Sequence, residues 1–464
     1  MFLPDLIIRS QRVVTDGSTR PAAIHIRAGR IIGVLDFEDV PAGCPLDEAG
    51  DAVVMPGVVD THVHVNEPGR TDWEGFDTAT RAAAAGGVTT IVDMPLNSIP
   101  ATTSVADFDM KRRAADGKCF VDVGFWGGVV PGNASELQGL VGAGVLGFKC
   151  FLVPSGVDEF RAVTEADLRI AMPVLAKLGV PLLVHAELPG PIEHATQQVV
   201  ARRGWLARLS GSAPDARSYA TYLATRPKQA ENDAMALSIE LCREYRVRTH
   251  IVHLSSSEAL TPLYHARVAR CPITVETCPH YLTFVADEIP DEATAFKCAP
   301  PIRERENREY LWAALAGGLI QMVASDHSPS PPKLKQTRSG DFLRAWGGIS
   351  SLQVSLAATW TGASARGYSL NQLAEWMCRA PARLASFDRK GAVEVGYDAD
   401  LVVWDPEGAL TVEGRSLMHR HPLTPYEGRT LRGVVERTYL GGRRIYERGK
   451  PMREPWGRLL ARSA

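Results

Sequence analysis

The sequence predicts an α/β fold: a (β/α)8 TIM barrel carrying a small β-sandwich domain formed from both termini. Three observations carry this. From residue 53 onward, apolar runs of four to seven residues alternate with longer amphipathic stretches. The two ends of the chain share a different texture of short β-rich segments and turn residues. Several apolar runs also end on side chains able to bind a metal, as expected where the strands of a barrel open towards a common mouth.

Taken in order, the first fifty residues read as short strands at 5–9, 23–26 and 31–34, with turn signals at Asp16-Gly17 and Ala28-Gly29. Eight apolar runs follow as barrel strands, at 53–59, 89–93, 121–129, 145–151, 181–185, 250–253, 273–277 and 320–325. Segments 80–85, 165–178, 231–245 and 305–315 between them carry helical periodicity. Continuous apolar strands alternating with helices indicate a parallel sheet buried on both faces. Eight such units in about 280 residues fit a closed barrel better than an open sheet. After Gly391 the β texture returns at 400–404, 434–439 and 444–446. Residues 1–54 and 391–464 are therefore expected to build one composite β domain, and 55–390 the barrel.

Composition narrows the function. Among 464 residues, 51 Lys and Arg face 53 Asp and Glu, a net charge of −2, which excludes a broadly basic nucleic-acid binder. No apolar run reaches the roughly 18 residues of a membrane span. Asp5 and Arg9 interrupt what would be the core of a signal peptide. The eight cysteines are scattered and form no CxxC pair, so free thiols in a reducing, cytoplasmic setting are expected.

The sharpest local signal is Asp60-Thr61-His62-Val63-His64. Side chains two apart on a strand share a face, so His62 and His64 would project together from the end of the first barrel strand. Alone, an HxH is equally well a polar strand exit. Four other strand ends shift the balance: Gly147-Phe148-Lys149, Val184-His185, Ile251-Val252-His253 and Ala324-Ser325-Asp326. A lone lysine more often snorkels to the surface and a lone histidine more often sits satisfied in a core. Five chemically compatible ends in barrel order are hard to obtain by accident. An ammonium has no lone pair, so Lys149 joins such a cluster only deprotonated or carboxylated by CO2. Cys150, its neighbour, should face the opposite way into the core.

This constellation resembles the amidohydrolase superfamily, and more narrowly its cyclic amidases: dihydroorotase, dihydropyrimidinase/hydantoinase and allantoinase. Residues 54–60 and 396–405 extend the likeness to both ends of the barrel. The resemblance implies two divalent metal ions per subunit. His62 and His64 would hold one, His185 and His253 the other, with carboxylated Lys149 bridging and Asp326 on the first. Zinc suits this donor set, as do manganese, cobalt and iron. His250 competes with His253, but His253 ends the strand and precedes Leu254-Ser255-Ser256, as the family motif does.

Substrate contacts separate the subfamilies. Asn66 stands where dihydroorotases carry an arginine that clamps a carboxylate, and an amide cannot replace that charge-assisted pair. Pro154 stands where dihydropyrimidinases carry a tyrosine. Residues 64–76, 93–98, 147–151 and 297–303 resemble the allantoinase branch. That resemblance implies hydrolysis of a small neutral ureide, (S)-allantoin, to allantoate. A hydroxide shared by the metals would attack, and Asp326 would move the proton. Asn66, Cys298 and Gly347 would contact substrate, and the subunits would form a homotetramer. A hydantoinase-like enzyme is the alternative, or a non-catalytic assembly protein of the same fold. His280 is placed either near substrate or as support for its turn, Cys278 is not a nucleophile, and Glu187, Glu193 and His194 read as solvated loop residues.

Overall fold

The computed structural model describes residues 3–209, 214–452 and 454–462. Strands β1 (Leu6–Thr15), β2 (Ser18–Arg27) and β3 (Arg30–Leu35) form an antiparallel meander, and β4 (Leu46–Glu48) and β5 (Val53–Pro56) run parallel to β1. The first two reversals fall on Gly17 and Gly29, both left-handed at φ 75° and 78°.

The barrel follows. Its strands are β6 (Val58–Val63), β7 (Val88–Asp93), β8 (Asp122–Phe125) continued by β9 (Gly127–Gly128), β10 (Phe148–Phe151), β11 (Leu182–His185), β12 (Thr249–Ile251), β13 (Ile273–Thr277) and β14 (Met322–Val323). All pair in parallel with their neighbours. The third strand breaks at Trp126, so β8 pairs with β7 and β9 with β10. The ring closes where Val63 bridges His327 and the His64 amide donates to the His327 carbonyl at 2.8 Å. Helices cover the outside. Glu165–Leu178 forms as its periodicity predicts, opened by a Thr164/Asp167 capping box and closed by left-handed Gly179.

β15 (Leu401–Thr411), β16 (Thr430–Leu440) and β17 (Arg443–Glu447) then extend the terminal sheet, in the order β17-β16-β15-β5-β1-β2-β3 with β4 on β1. Its apolar faces close over Ile24, Val54, Leu401 and Val403, all without solvent exposure. Burying each such side chain contributes about 1.5–3 kcal/mol.

Two boundaries differ from the sequence reading. The apolar run 53–59 is two strands. β5 lies between β1 and β15 in the terminal sheet, and only β6 enters the barrel. Gly57 sits at the break, where a Cβ would lie 2.2 Å from the Thr89 side chain. Both halves are fully buried, so hydropathy does not see the change of sheet. The last described residues also leave the terminal sheet. Leu459 bridges Val123 of β8, and the Leu460 amide donates to the Val123 carbonyl at 2.8 Å. Among the described residues, no helix is long and apolar enough to cross a membrane.

Candidate metal centre and active-site cavity

The strand ends bring the predicted side chains together at one mouth of the barrel. His62 lies in β6 and His64 one residue beyond it, Lys149 lies in β10, and His185 ends β11. His253 and Asp326 follow β12 and β14 in left-handed conformation, at φ 41° and 45°. Such backbone costs a non-glycine residue about 1–3 kcal/mol and is concentrated at functional sites. Nε2 of His62 and of His64 lie 3.2 and 3.5 Å from Asp326 Oδ1. The His253 ring is 5.4 Å from that of His62 and 4.5 Å from that of His185, on which Phe151 stacks. A cavity of about 410 Å³ opens over His62, His64, His185, His253 and Asp326.

The electrostatics suit metal donors. Burial drives His64 down to about 4 and His253 well below its usual value, so both imidazoles are neutral with lone pairs available. Burial alone would raise Asp326, but His62 and His64 outweigh it and hold the carboxylate ionised. His64 Nδ1, His253 Nδ1 and Lys149 Nζ are buried with no hydrogen-bond partner. An unpartnered buried polar atom costs about 1–3 kcal/mol. Three of them beside one carboxylate fit a cluster completed by cations. Burial also lowers the Lys149 amine to about 8, despite Glu276 and Asp326, which favours the neutral form that reacts with CO2.

Carboxylates orient the rings from behind. Glu276, from β13, accepts from His62 Nδ1 and bonds His250 Nε2 at 3.1 Å. His250 Nδ1 in turn meets Thr274 Oγ1 at 2.8 Å. Both nitrogens of His250 are thus engaged inside the barrel, and it is His253 that borders the cavity. Glu187 corrects the sequence reading. It is fully buried, bonds His185 Nε2 at 2.8 Å and pairs with Arg226. Its partner lies 39 residues away, and no local pattern announces such a pair. Glu193 and His194 are exposed, on the helix Pro189–Leu209.

The expected substrate contacts are placed unevenly. Gly347 borders the cavity. Cys298 is buried behind the wall, its carbonyl accepting from Tyr222 Oη at 2.6 Å. Asn66 does not border the cavity; its Nδ2 reaches the Pro329 carbonyl at 3.4 Å and its Oδ1 has no partner. His280 is fully buried with both ring nitrogens unpartnered, in one cluster with Cys278 and Asp326 whose ligand atoms lie within 4.8 Å of one another. Burial pushes the Cys150 thiol up to about 12 and Cys278 well above its usual value, so neither is poised as a nucleophile.

Known proteins match this architecture. The amidohydrolase family model matches residues 53–445. The allantoinase of Streptomyces avermitilis is 50% identical, covering 99% of both chains. The allantoinase of Arabidopsis thaliana is 43% identical over 97% of this chain and 90% of its own. The solved L-hydantoinase (dihydropyrimidinase) from Arthrobacter aurescens superposes with a TM-score of 0.91 at 30% identity, covering 99% of this chain and all of that one. With the family match running from the last strand before the barrel to the terminal sheet, the chain belongs to the amidohydrolase family.

Proposed function

We propose that the protein is an allantoinase, which opens the hydantoin ring of (S)-allantoin by hydrolysis to allantoate. The observation that carries this is 50% identity to an allantoinase along 99% of both chains, joined to a buried His/Asp cluster at the barrel mouth. His62, His64 and Asp326 would hold one divalent cation, with His185 and His253 holding a second. Lys149, carboxylated by CO2, would bridge them. Zinc is the proposed metal. When bound, such cations supply a water acidified towards neutral pH and polarise the ring carbonyl.

The chain's own residues then move the proton. Asp326 takes it from the attacking water and returns it to the departing ring nitrogen, as general base and then general acid. The carbonyl carbon gains the water oxygen, the ring C–N bond breaks, and a carboxylate forms beside a protonated nitrogen. A neutral ureide needs no clamping cation at Asn66, and none stands there. Eight free cysteines support a reducing, cytoplasmic setting. Homotetramer assembly rests on the family resemblance.

Metal-loaded protein should hydrolyse allantoin faster than hydantoin, dihydrouracil or dihydroorotate. An absence of allantoin turnover with full metal content would refute the assignment, and faster hydantoin turnover would favour a hydantoinase. Adding bicarbonate to metal-depleted protein during reloading should raise recovered activity, as the lysine carbamate requires.

Glu276 supplies a separate test. Its carboxylate, held down to about 2 by His62 and His250 against the pull of burial, keeps a proton on His62 Nδ1 and leaves Nε2 facing Asp326. Glu276→Gln replaces an acceptor with an amide able to donate, and should weaken metal retention roughly 10- to 100-fold. Titration of metal content against a chelator reads this directly; retention equal to wild type would remove Glu276 from that role.

A further inference from the structure

Two buried lysines next to the cavity have no part in the chemistry above. Lys297 is 9% exposed and Lys335 is 3% exposed, and among the described residues neither has a carboxylate within ion-pair distance. Lysine is almost never this buried unless paired. Here the partners are main-chain carbonyls. Lys297 Nζ donates to Ala345 at 2.6 Å and Leu343 at 3.3 Å, and lies 4.9 Å above the Tyr222 ring. Lys335 Nζ donates to the Lys297 carbonyl at 2.9 Å, which also accepts from the Gly348 amide at 2.8 Å.

These bonds join two segments that both border the cavity. Lys297 and Ala299 come from one, and Leu343 to Gly348 from the other. Ala299, Ala345, Gly347 and Gly348 carry no polar side chain, so directional contacts made there come from main-chain groups. Such groups cannot be re-aimed by a rotamer. Their positions depend on what holds the segments, and a misplacement of about 1 Å can cost roughly a hundredfold in rate. Burial lowers Lys297 to about 8 and Lys335 to about 7, and both the ammonium and the neutral amine retain protons to donate.

We propose that Lys297 and Lys335 are positioning residues that clamp the 297–299 and 343–348 segments together, fixing the main-chain wall that reads the substrate ring. The proposal deepens the allantoinase reading and rests on it for the identity of the ring. It commits both lysines to substrate affinity, and neither to metal binding nor to proton transfer.

The test is steady-state kinetics of Lys297→Met and Lys335→Met, with metal content measured on the same samples. Each variant should raise KM roughly 10- to 100-fold, with kcat changed no more than about threefold and metal content equal to wild type. Lys297→Gln and Lys335→Gln, which keep an N–H donor on a shorter arm, should give intermediate KM values. If a methionine variant does not fold, the glutamine variant carries the reading: a raised KM at full metal content supports the clamp. An unchanged KM overturns it, as does a joint fall of kcat and metal content, which would make the lysines general supports of the fold. Wild-type turnover of allantoin is read first. Should hydantoin prove the better ring, the same KM comparison is made on hydantoin, so failure of the clamp and failure of the substrate assignment are told apart.

Discussion

Asp326→Asn should lower kcat by roughly 10²- to 10⁴-fold, the range a lost general acid–base contributes, in a protein that still folds. Asparagine has nearly the same shape, and it tolerates the left-handed backbone that Asp326 adopts at φ 45°. The substitution therefore adds no backbone strain and removes no packing volume. What it removes is an oxygen able to take a proton and give it back. Asp326 is held ionised by His62 and His64 despite its burial, so in the wild type the acceptor is ready at neutral pH. Metal content separates the two duties proposed for this side chain. With metal retained, the lost rate belongs to proton transfer; with metal lost, ligation dominates. Full turnover by a metal-replete Asp326→Asn would sink the assignment of Asp326 as the proton carrier.

The distinction between what sequence exposes and what it hides follows from the range of each interaction. Period two brings out His62 and His64, and the ends of apolar runs bring out Lys149, His185, His253 and Asp326, because a barrel turns strand ends into neighbours. The cavity-bordering positions of His62, His64, His185, His253 and Asp326 were thus readable before any coordinates. Glu276 stood out only as part of a strand-seven motif, and its bond to His62 spans 214 residues. Glu187 looked like a solvated loop acid because the arginine that neutralises it lies on a different element. Lys297 and Lys335 gave no signal at all, since main-chain carbonyls leave no trace in residue identity. The split at Gly57 was hidden for a further reason: a strand fully buried in one sheet reads the same as a strand fully buried in another.

Lys390→Met should destabilise the protein by about 3–5 kcal/mol, the cost of leaving a buried charge without its partner. Lys390 Nζ donates to Asp122 Oδ2 at 2.9 Å, at the start of β8, and to Asp400 Oδ2 at 2.5 Å, just before β15. One ammonium therefore ties the barrel to the terminal sheet. The two carboxylates are not equally exposed to its loss. Asp122 keeps Arg458, whose Nη2 lies 3.0 Å away, whereas Asp400 keeps only the Gly441 amide at 2.8 Å. Burial already raises the Asp400 carboxyl even with Lys390 in place, and removing the cation raises it further. A group whose pKa is raised by folding favours the folded state below its unfolded pKa and opposes it as pH climbs through the folded value. The deficit of Lys390→Met should thus be larger at pH 8 than at pH 5. Adding Asp400→Asn should recover a good part of it by removing the charge that was stranded. Denaturant melts of the three proteins at both pH values read all of this. A deficit that shrinks as pH rises would show that Asp400 is not the stranded group, and would move the coupling between barrel and terminal sheet away from this ion cluster.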